Sequence, residues 1–195
     1  MAMEQAGEFR SGMPFFGGRL WLDLLNSRLA YGDVARDFVA EPDSLPAWLA
    51  AAGIRAGERP STLDQRALTE LRETLRTALD PLRLGQPLPE KIVNDINRCL
   101  ADVCVRFRLD RAPDGTAHLV ETLDTGRNGA AGAIAADFSR FVCDYEPERL
   151  KRCSNPACTM VFYDQGKNSR RRWCTMSICG NRNKVARFRA KGRSV

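Results

Sequence analysis

The stretch Cys153-Ser-Asn-Pro-Ala-Cys158, followed after fifteen residues by Cys174-Thr-Met-Ser-Ile-Cys179, decides how the C-terminal part of the chain folds. Each half holds two cysteines with the same four-residue gap, and Asn155-Pro156 supplies turn chemistry inside the first gap. Four thiolates at such spacing are typical of a tetrahedral zinc site, and four protein ligands with no open position make the site structural rather than catalytic. We therefore predict one structural Zn²⁺ bound by Cys153, Cys158, Cys174 and Cys179.

From the residues alone, two other interpretations of these cysteines stay open: two disulfides, or ordinary buried side chains. The N-terminal residues 1–8 lack the apolar segment of an export signal, so we expect a cytoplasmic protein. In a reducing compartment, clustered cysteines are metal ligands more often than disulfides. Cys99, Cys104 and Cys143 have no ligand spacing, and we expect them to be small buried side chains.

Charge is distributed unevenly along the 195 residues. Residues 148–195 hold thirteen lysines and arginines against two acids, whereas residues 1–147 hold seventeen basic and twenty-two acidic residues. A mildly acidic body with a strongly basic tail predicts that the tail binds a polyanion. We place the domain boundary at Glu146-Pro147-Glu148, which gives domains 1–147 and 148–195. No apolar run reaches the roughly 18 residues of a membrane helix, so we expect no membrane segment.

Apolar residues at helical spacing predict a mainly α-helical body. The predicted helices cover residues 20–29, 44–52, 62 to about 80–85, 89–100 and 129–144. The third is expected to begin with a capping box of Thr62 and Gln65. Residues 103–109 and 117–123 alternate in polarity around Pro113-Asp114-Gly115, which predicts one β-hairpin. Residues 1–13 are expected to be disordered. The fold class is therefore α+β, mainly α with one β-hairpin.

The segment from Arg152 to Arg189 resembles the CGNR zinc finger. It combines the four cysteines, an aromatic-containing hairpin, basic residues before Trp173, and the tetrapeptide Cys179-Gly180-Asn181-Arg182 followed by a basic helix. Upstream, Phe16-Gly17-Gly18-Arg19-Leu20, Leu22-Asp23 and Asn26-Ser27 resemble the start of the ABATE domain. That domain precedes this finger in bacterial proteins described as stress-induced transcription regulators. The resemblance implies a regulatory role and favours duplex DNA over RNA as the partner.

The basic residues around the cysteines support that role independently, because such side chains supply most nucleic-acid affinity through phosphate contacts. The candidates for nucleic-acid contact are Arg170, Arg171, Arg172, Arg182, Lys184, Arg187 and Arg189. Val185 and Phe188 are spaced to pack back on the finger. Phe162, Tyr163 and Trp173 are expected to form its apolar centre rather than to stack on bases.

The sequence thus favours a DNA-binding transcription regulator associated with the nucleoid, whose helical domain is a sensor or a dimerisation module. A homodimer and a small-molecule effector near Asp23 and Asn26 remain open, although local hydrogen bonding is the commoner fate of such residues. A zinc-stabilised protein-interaction adaptor is the alternative, and a small-molecule-binding protein ranks below it. His118 is the only histidine and faces no nucleophile in the sequence pattern, so we predict that the protein is not an enzyme.

Overall fold

The computed structural model describes residues 9–31, 34–54 and 61–192, and within them it confirms the α+β class. The helices are α1 (Leu20–Asn26), α2 (Leu45–Ala51), α3 (Thr62–Arg83), α4 (Glu90–Leu100), α5 (Gly129–Cys143) and α6 (Asn181–Gly192). The strands are β1 (Phe9–Arg10), β2 (Met13–Pro14), β3 (Arg28–Tyr31), β4 (Val34–Asp37), β5 (Cys104–Arg111), β6 (Ala117–Asp124), β7 (Leu150–Arg152) and β8 (Val161–Tyr163). None of the helices in these ranges is both long enough and apolar enough to cross a bilayer.

The strands form four separate antiparallel pairs in these ranges, namely β1–β2, β3–β4, β5–β6 and β7–β8. The hairpin β5–β6 lies where it was predicted. However, one hairpin was predicted in the body, and the described residues of the body form three strand pairs. Residues 1–13 were expected to be disordered, but within the described part of that segment Phe9–Arg10 pairs as β1 with β2 at Met13–Pro14. Leu29, assigned to the first helix, lies in β3, because α1 ends at Asn26. Strands of two to four residues are too short for period-two alternation to show in the sequence.

Helix α1 is the centre of the main core, with six of its seven residues buried. The indole ring of Trp21 packs against Phe138 and Phe141 of α5, with ring centroids 5.3 and 5.2 Å apart. Its backbone N–H donates to the Asp137 carboxylate of α5 at 3.1 Å. Since Arg19 at the N-cap position makes no side-chain capping bond, α5 provides the cap for α1 from a distant part of the chain.

Helix α3 begins with a reciprocal capping box, one residue earlier than predicted. The Ser61 hydroxyl accepts the Asp64 N–H at 3.2 Å, and the Asp64 carboxylate accepts the Ser61 N–H at 2.8 Å. The predicted pair, Thr62 and Gln65, has the same spacing. Gln65 instead donates its side-chain amide to the backbone carbonyl of Ala40, 2.7 Å away.

A buried arginine ties α3 to the β3–β4 hairpin. The Arg72 guanidinium donates to both carboxylate oxygens of Asp37, at 2.7 and 2.6 Å, and to the Ser27 hydroxyl at 2.8 Å. Burial on its own raises the pKa of Asp37, but the hydrogen bonds from Arg72 and from the backbone outweigh it and hold that pKa below its ordinary value. A buried guanidinium is tolerated because it has this bidentate partner.

The first strands of the cysteine-containing segment belong to the core of the body. Leu150, Val161 and Tyr163 of β7 and β8 are buried in the same apolar cluster as α1, α3 and α5. A second, smaller cluster surrounds the cysteines and includes Phe16 from the N-terminal part of the chain and Phe162 from β8. The two predicted domains therefore share an apolar interior across residue 147.

Candidate metal centre and basic surface

The local backbone of each cysteine pair is a hydrogen-bonded turn. Cys153 follows β7 directly and donates its N–H to the Met160 carbonyl at 2.9 Å, so that the hairpin continues into the cysteine loop. Inside this loop Cys158 N–H donates to the Asn155 carbonyl, also at 2.9 Å, and the Asn155 side chain accepts the Ala157 N–H. An asparagine that bonds to the backbone two residues onward closes a tight turn. The predicted turn at Asn155-Pro156 is therefore present.

The second pair is closed by Gly180, whose N–H donates to the Thr175 carbonyl at 3.1 Å. A Cβ atom at Gly180 would lie 2.6 Å from the Met176 sulfur and 2.8 Å from its terminal methyl carbon, closer than real Cβ atoms approach. A side chain at this position would therefore displace Met176. The atoms it would meet are the far end of a flexible side chain that is 52% exposed, so Met176 has room to move and the packing alone does not require glycine here.

The four sulfur atoms of Cys153, Cys158, Cys174 and Cys179 all lie within 4.8 Å of one another. The Sγ of Cys174 lies 3.8 Å from that of Cys158 and 3.6 Å from that of Cys179. Sulfur atoms at the corners of a tetrahedron with 2.3 Å Zn–S bonds are about 3.8 Å apart. The donor set and its geometry thus fit one structural Zn²⁺, as predicted.

Electrostatics within the cluster point the same way. The hydrogen bond with Cys174 lowers the pKa of Cys158 to about 6. The same bond, together with burial, raises the pKa of Cys174 far above its ordinary value, and burial raises the pKa of Cys179 to about 11. The hydrogen bond and burial thus favour one thiolate and oppose the next, and repulsion between the sulfurs adds to the opposition. Four thiolates need a cation between them, and Zn²⁺ supplies that charge.

Two neighbouring groups orient the sulfur atoms. The backbone N–H of Cys174 donates to the Sγ of Cys153 at 3.4 Å, and the Asn155 amide donates to the Sγ of Cys179 at 3.5 Å. Buried Phe162 and Phe16 form part of the apolar wall around them. The prediction that Phe162 and Tyr163 form core rather than a stacking surface is confirmed by their burial, while Trp173 is half-buried.

Arg171 has an internal role that differs from that of its two neighbours. Its guanidinium donates to the carbonyls of Phe16 and Trp173, each at 3.1 Å, and to that of Cys174. It also lies over the Phe162 ring, 4.2 Å from the centroid. Its donors hold the third ligand's backbone against the body, and its part in nucleic-acid contact stays a prediction. Arg170 and Arg172 are exposed.

On α6, Arg182 and Lys184 are exposed, whereas the side chains of Arg187 and Arg189 lie outside the described residues. The prediction that Val185 and Phe188 pack back on the finger was wrong. Their side chains are 48% and 80% exposed. Val185 lines an open groove with Ile178 and Arg182 instead.

The residues proposed for an effector pocket are structural. Asp23 accepts the Gly17 N–H at 2.8 Å, and burial raises its pKa to about 7. The Asn26 amide donates to the Val161 carbonyl at 2.8 Å and its oxygen accepts the Val161 N–H at 3.0 Å. Both side chains are buried and bonded to backbone, so local hydrogen bonding wins over the pocket interpretation.

Three cysteines lie apart from the metal cluster. The expectation that they are buried was wrong for Cys104 and Cys143, which are exposed, and holds in part for Cys99, which is half-buried. Cys104 is the first residue of the exposed strand β5, and Cys143 is the last residue of α5. Cys104 shares the face of β5 that carries Arg106 and Arg108, so the alternation in the sequence already pointed to an exposed position.

Comparison with known families agrees with the resemblance seen in the sequence. The model of the CGNR zinc finger matches residues 149–192. The model of the ABATE family, described as "Putative stress-induced transcription regulator", matches residues 18–145. A search among curated proteins gives no match. The chain therefore belongs to the ABATE family and carries a CGNR zinc finger after its ABATE domain.

Proposed function

We propose that the protein is a transcription regulator that binds duplex DNA through the basic residues of its zinc finger and performs no catalysis. One observation carries the proposal: both basic segments are joined directly to metal ligands. Arg172 precedes Cys174 by two residues, and α6 begins two residues after Cys179. A zinc ion bound to the cysteines would fix the two segments relative to each other.

Few acidic groups offset the positive charge of this surface. Of the two acids in residues 148–195, Asp164 is buried and accepts a hydrogen bond from Lys151 at 2.9 Å. Glu148 is exposed. A surface with so few anions and several exposed cations attracts phosphates and releases their counterions. A protein that contacts the phosphates of DNA in this way associates with the nucleoid.

The hairpin β5–β6 supports a second copy of the chain as a further partner. One face of this hairpin is apolar, since residues at alternate positions point the same way and stand opposite each other in register. The apolar members are Val105, Phe107, Leu109, Ala117, Leu119 and Leu123. Phe107 and Leu109 are 61% and 71% exposed. A two-stranded hairpin with such a face is only marginally stable in water by itself.

The charges on this face are self-complementary. Its two ionic residues, Arg111 and Glu121, stand two residues to either side of the Leu109–Leu119 pair. A two-fold rotation that stacks this pair on itself therefore brings Arg111 to the level of Glu121 in the second copy. Sedimentation should show a dimer that Phe107→Ser/Leu109→Ser converts to a monomer, whereas Arg106→Ser on the opposite face leaves it intact. A monomeric wild type at every concentration would exclude this arrangement.

A protein-interaction adaptor is the second candidate, and the exposed apolar side chains of α6 favour it. Phe188 is the most exposed large apolar side chain of the described residues, and Val185 lies beside the groove on the same helix. An adaptor would retain its partner in a pull-down after nuclease treatment. A DNA-binding protein would lose partners bridged by DNA.

The direct test of DNA binding is fluorescence anisotropy of the zinc-loaded chain on a random-sequence duplex over a salt series. We expect affinity that falls steeply with salt and weakens in Arg182→Gln. Arg98→Gln on α4 is the matched control, an exposed arginine outside the finger, and should behave as wild type. Absence of binding at low ionic strength would refute the proposal.

A further inference from the structure

A basic cleft lies where the end of α3 meets the finger. Its volume is about 590 Å³, and six lysine and arginine side chains line it together with the hydroxyls of Ser154 and Ser169. Arg83 comes from α3, Lys151 and Arg152 come from β7, and Arg170–Arg172 precede the third cysteine. Because the cleft takes residues from both family segments, the basic surface extends beyond the finger.

Some of these cations are used inside the protein and form the floor of the cleft. The Lys151 amino group donates to Asp164 at 2.9 Å and to the backbone carbonyl and hydroxyl of Ser169, at 2.6 and 3.0 Å. Arg171 holds the backbone around Cys174, as described above. These two groups contribute positive potential but have few donors left for a ligand.

The cations at the rim are available to an anion. Arg170 and Arg172 are exposed, and among the described residues neither guanidinium has a carboxylate partner. Arg83 and Arg152 share one carboxylate, that of Asp80. The contacts to it measure 3.1 Å from Arg83, and 3.0 and 3.2 Å from Arg152.

The bridge through Asp80 is weak enough for a phosphate to compete with it. The side chains of Asp80 and Arg152 are 61% and 49% exposed. Exposed ion pairs of this kind contribute about 0–1 kcal/mol and are screened by salt. The hydrogen bond from Arg152 lowers the pKa of Asp80, so this carboxylate stays ionised and bridges the two arginines.

We propose that this cleft binds phosphate oxyanions, with Arg83 and Arg152 as ligands contributed by the body side together with Arg170 and Arg172. Guanidinium groups bind phosphate through paired N–H donors, and several of them around one concavity suit a doubly charged oxyanion. If the phosphates are those of the DNA backbone, this inference rests on the proposed function, and the DNA-binding surface then extends onto α3. A free phosphorylated molecule offers the same chemistry.

The test compares the zinc-loaded full chain with Arg83→Gln/Arg152→Gln and with Arg66→Gln. Arg66 is the matched control, because it also lies on α3 and forms an exposed ion pair, with Glu70 at 2.7 Å. Two probes are used: a random-sequence duplex over a salt series, and inorganic phosphate against chloride at equal ionic strength in thermal unfolding. Circular dichroism checks that each variant is folded.

The slope of log K against log salt is negative, and we expect its magnitude to decrease by about 1–2 in the double variant, at about 0.9 for each lost phosphate contact. In Arg66→Gln the slope should stay unchanged. If no sample binds DNA, but phosphate stabilises wild type and Arg66→Gln more than the double variant, the proposed function fails and the cleft serves a free phosphorylated ligand. A phosphate effect with an unchanged DNA slope likewise assigns the cleft to a free ligand. An unchanged slope without a phosphate effect refutes phosphate binding by the cleft but leaves the proposed DNA binding by the finger intact. If wild type binds neither DNA nor phosphate, both proposals are refuted.

Discussion

Asn26 is the clearest single connection between the ABATE domain and the zinc finger. Its buried side chain pairs with both backbone groups of Val161, the residue of β8 that stands opposite Arg152. In the neighbouring pair, the Cys153 N–H donates to the Met160 carbonyl at 2.9 Å. In an antiparallel pair, hydrogen-bonded and non-bonded positions alternate. The polar groups of Val161 therefore point away from β7, and Asn26 satisfies them.

The substitution Asn26→Leu removes both hydrogen bonds while it keeps the side chain at a similar size. An unpaired buried donor or acceptor costs about 1–3 kcal/mol, so the two groups of Val161 predict a loss of roughly 2–6 kcal/mol in the free energy of unfolding. Against a total of about 5–15 kcal/mol for a typical domain, this is a large fraction.

Urea unfolding followed by circular dichroism measures this loss. The matched control is Asn168→Leu in the exposed loop after β8, which should change stability by less than about 0.5 kcal/mol. Zinc release to a chromogenic chelator gives a second readout, and it should be faster in Asn26→Leu because β8 packs beside the cysteines. A loss below about 1 kcal/mol, equal to that of the control, would refute the argument that Asn26 joins the two segments.

Burial raises the pKa of Asp23 from 3.8 to about 7, so its stabilising contribution is complete below pH 3.8 and is lost as the pH rises through 7. The shift corresponds to roughly 4 kcal/mol in the free energy of unfolding. Asp23→Asn can still accept the Gly17 N–H, so in urea unfolding the variant should lose less stability than wild type between pH 5 and 8. An equal loss in the variant would contradict this role of Asp23. Arg72→Met should lower the unfolding free energy by about 3–5 kcal/mol in thermal melts, because it leaves Asp37 without its buried partner, whereas Arg66→Met should cost less than about 1 kcal/mol. Chelation or Cys174→Ala should abolish hydrogen-exchange protection in residues 170–183 and preserve it in α3, and loss of protection throughout α3 would show that the helical body depends on the metal.

Elements with local signals were predicted well from the sequence. The amphipathic helices α3 and α4, the alternating strands of β5–β6, and α5 all repeat a residue pattern over eight or more positions, and their ends fall within a few residues of the prediction. Where two patterns compete locally the sequence cannot choose between them. Ser61 with Asp64 and Thr62 with Gln65 both fit a capping box, and the contact of Gln65 with Ala40 decides for the first.

The contacts that organise the site lie far apart in the chain and leave no local pattern. Asn26 meets a strand 135 residues away, and Arg72 meets a carboxylate 35 residues away. The metal ligands could be predicted because zinc imposes a spacing. In contrast, three consecutive arginines look alike in sequence, and only the fold shows that the middle one, Arg171, turns inward onto Phe162.

The central claim is that four cysteines and one metal ion hold the basic segments in the arrangement that binds DNA. The most direct test is a titration of the full chain with a chelator, in which the zinc content and the anisotropy of a labelled duplex are measured in the same sample. We expect one zinc per chain, loss of DNA binding in step with loss of zinc, and recovery of both when zinc is restored. DNA affinity that persists unchanged after the zinc has been removed would contradict the claim, because the basic residues would then bind without the metal-held arrangement.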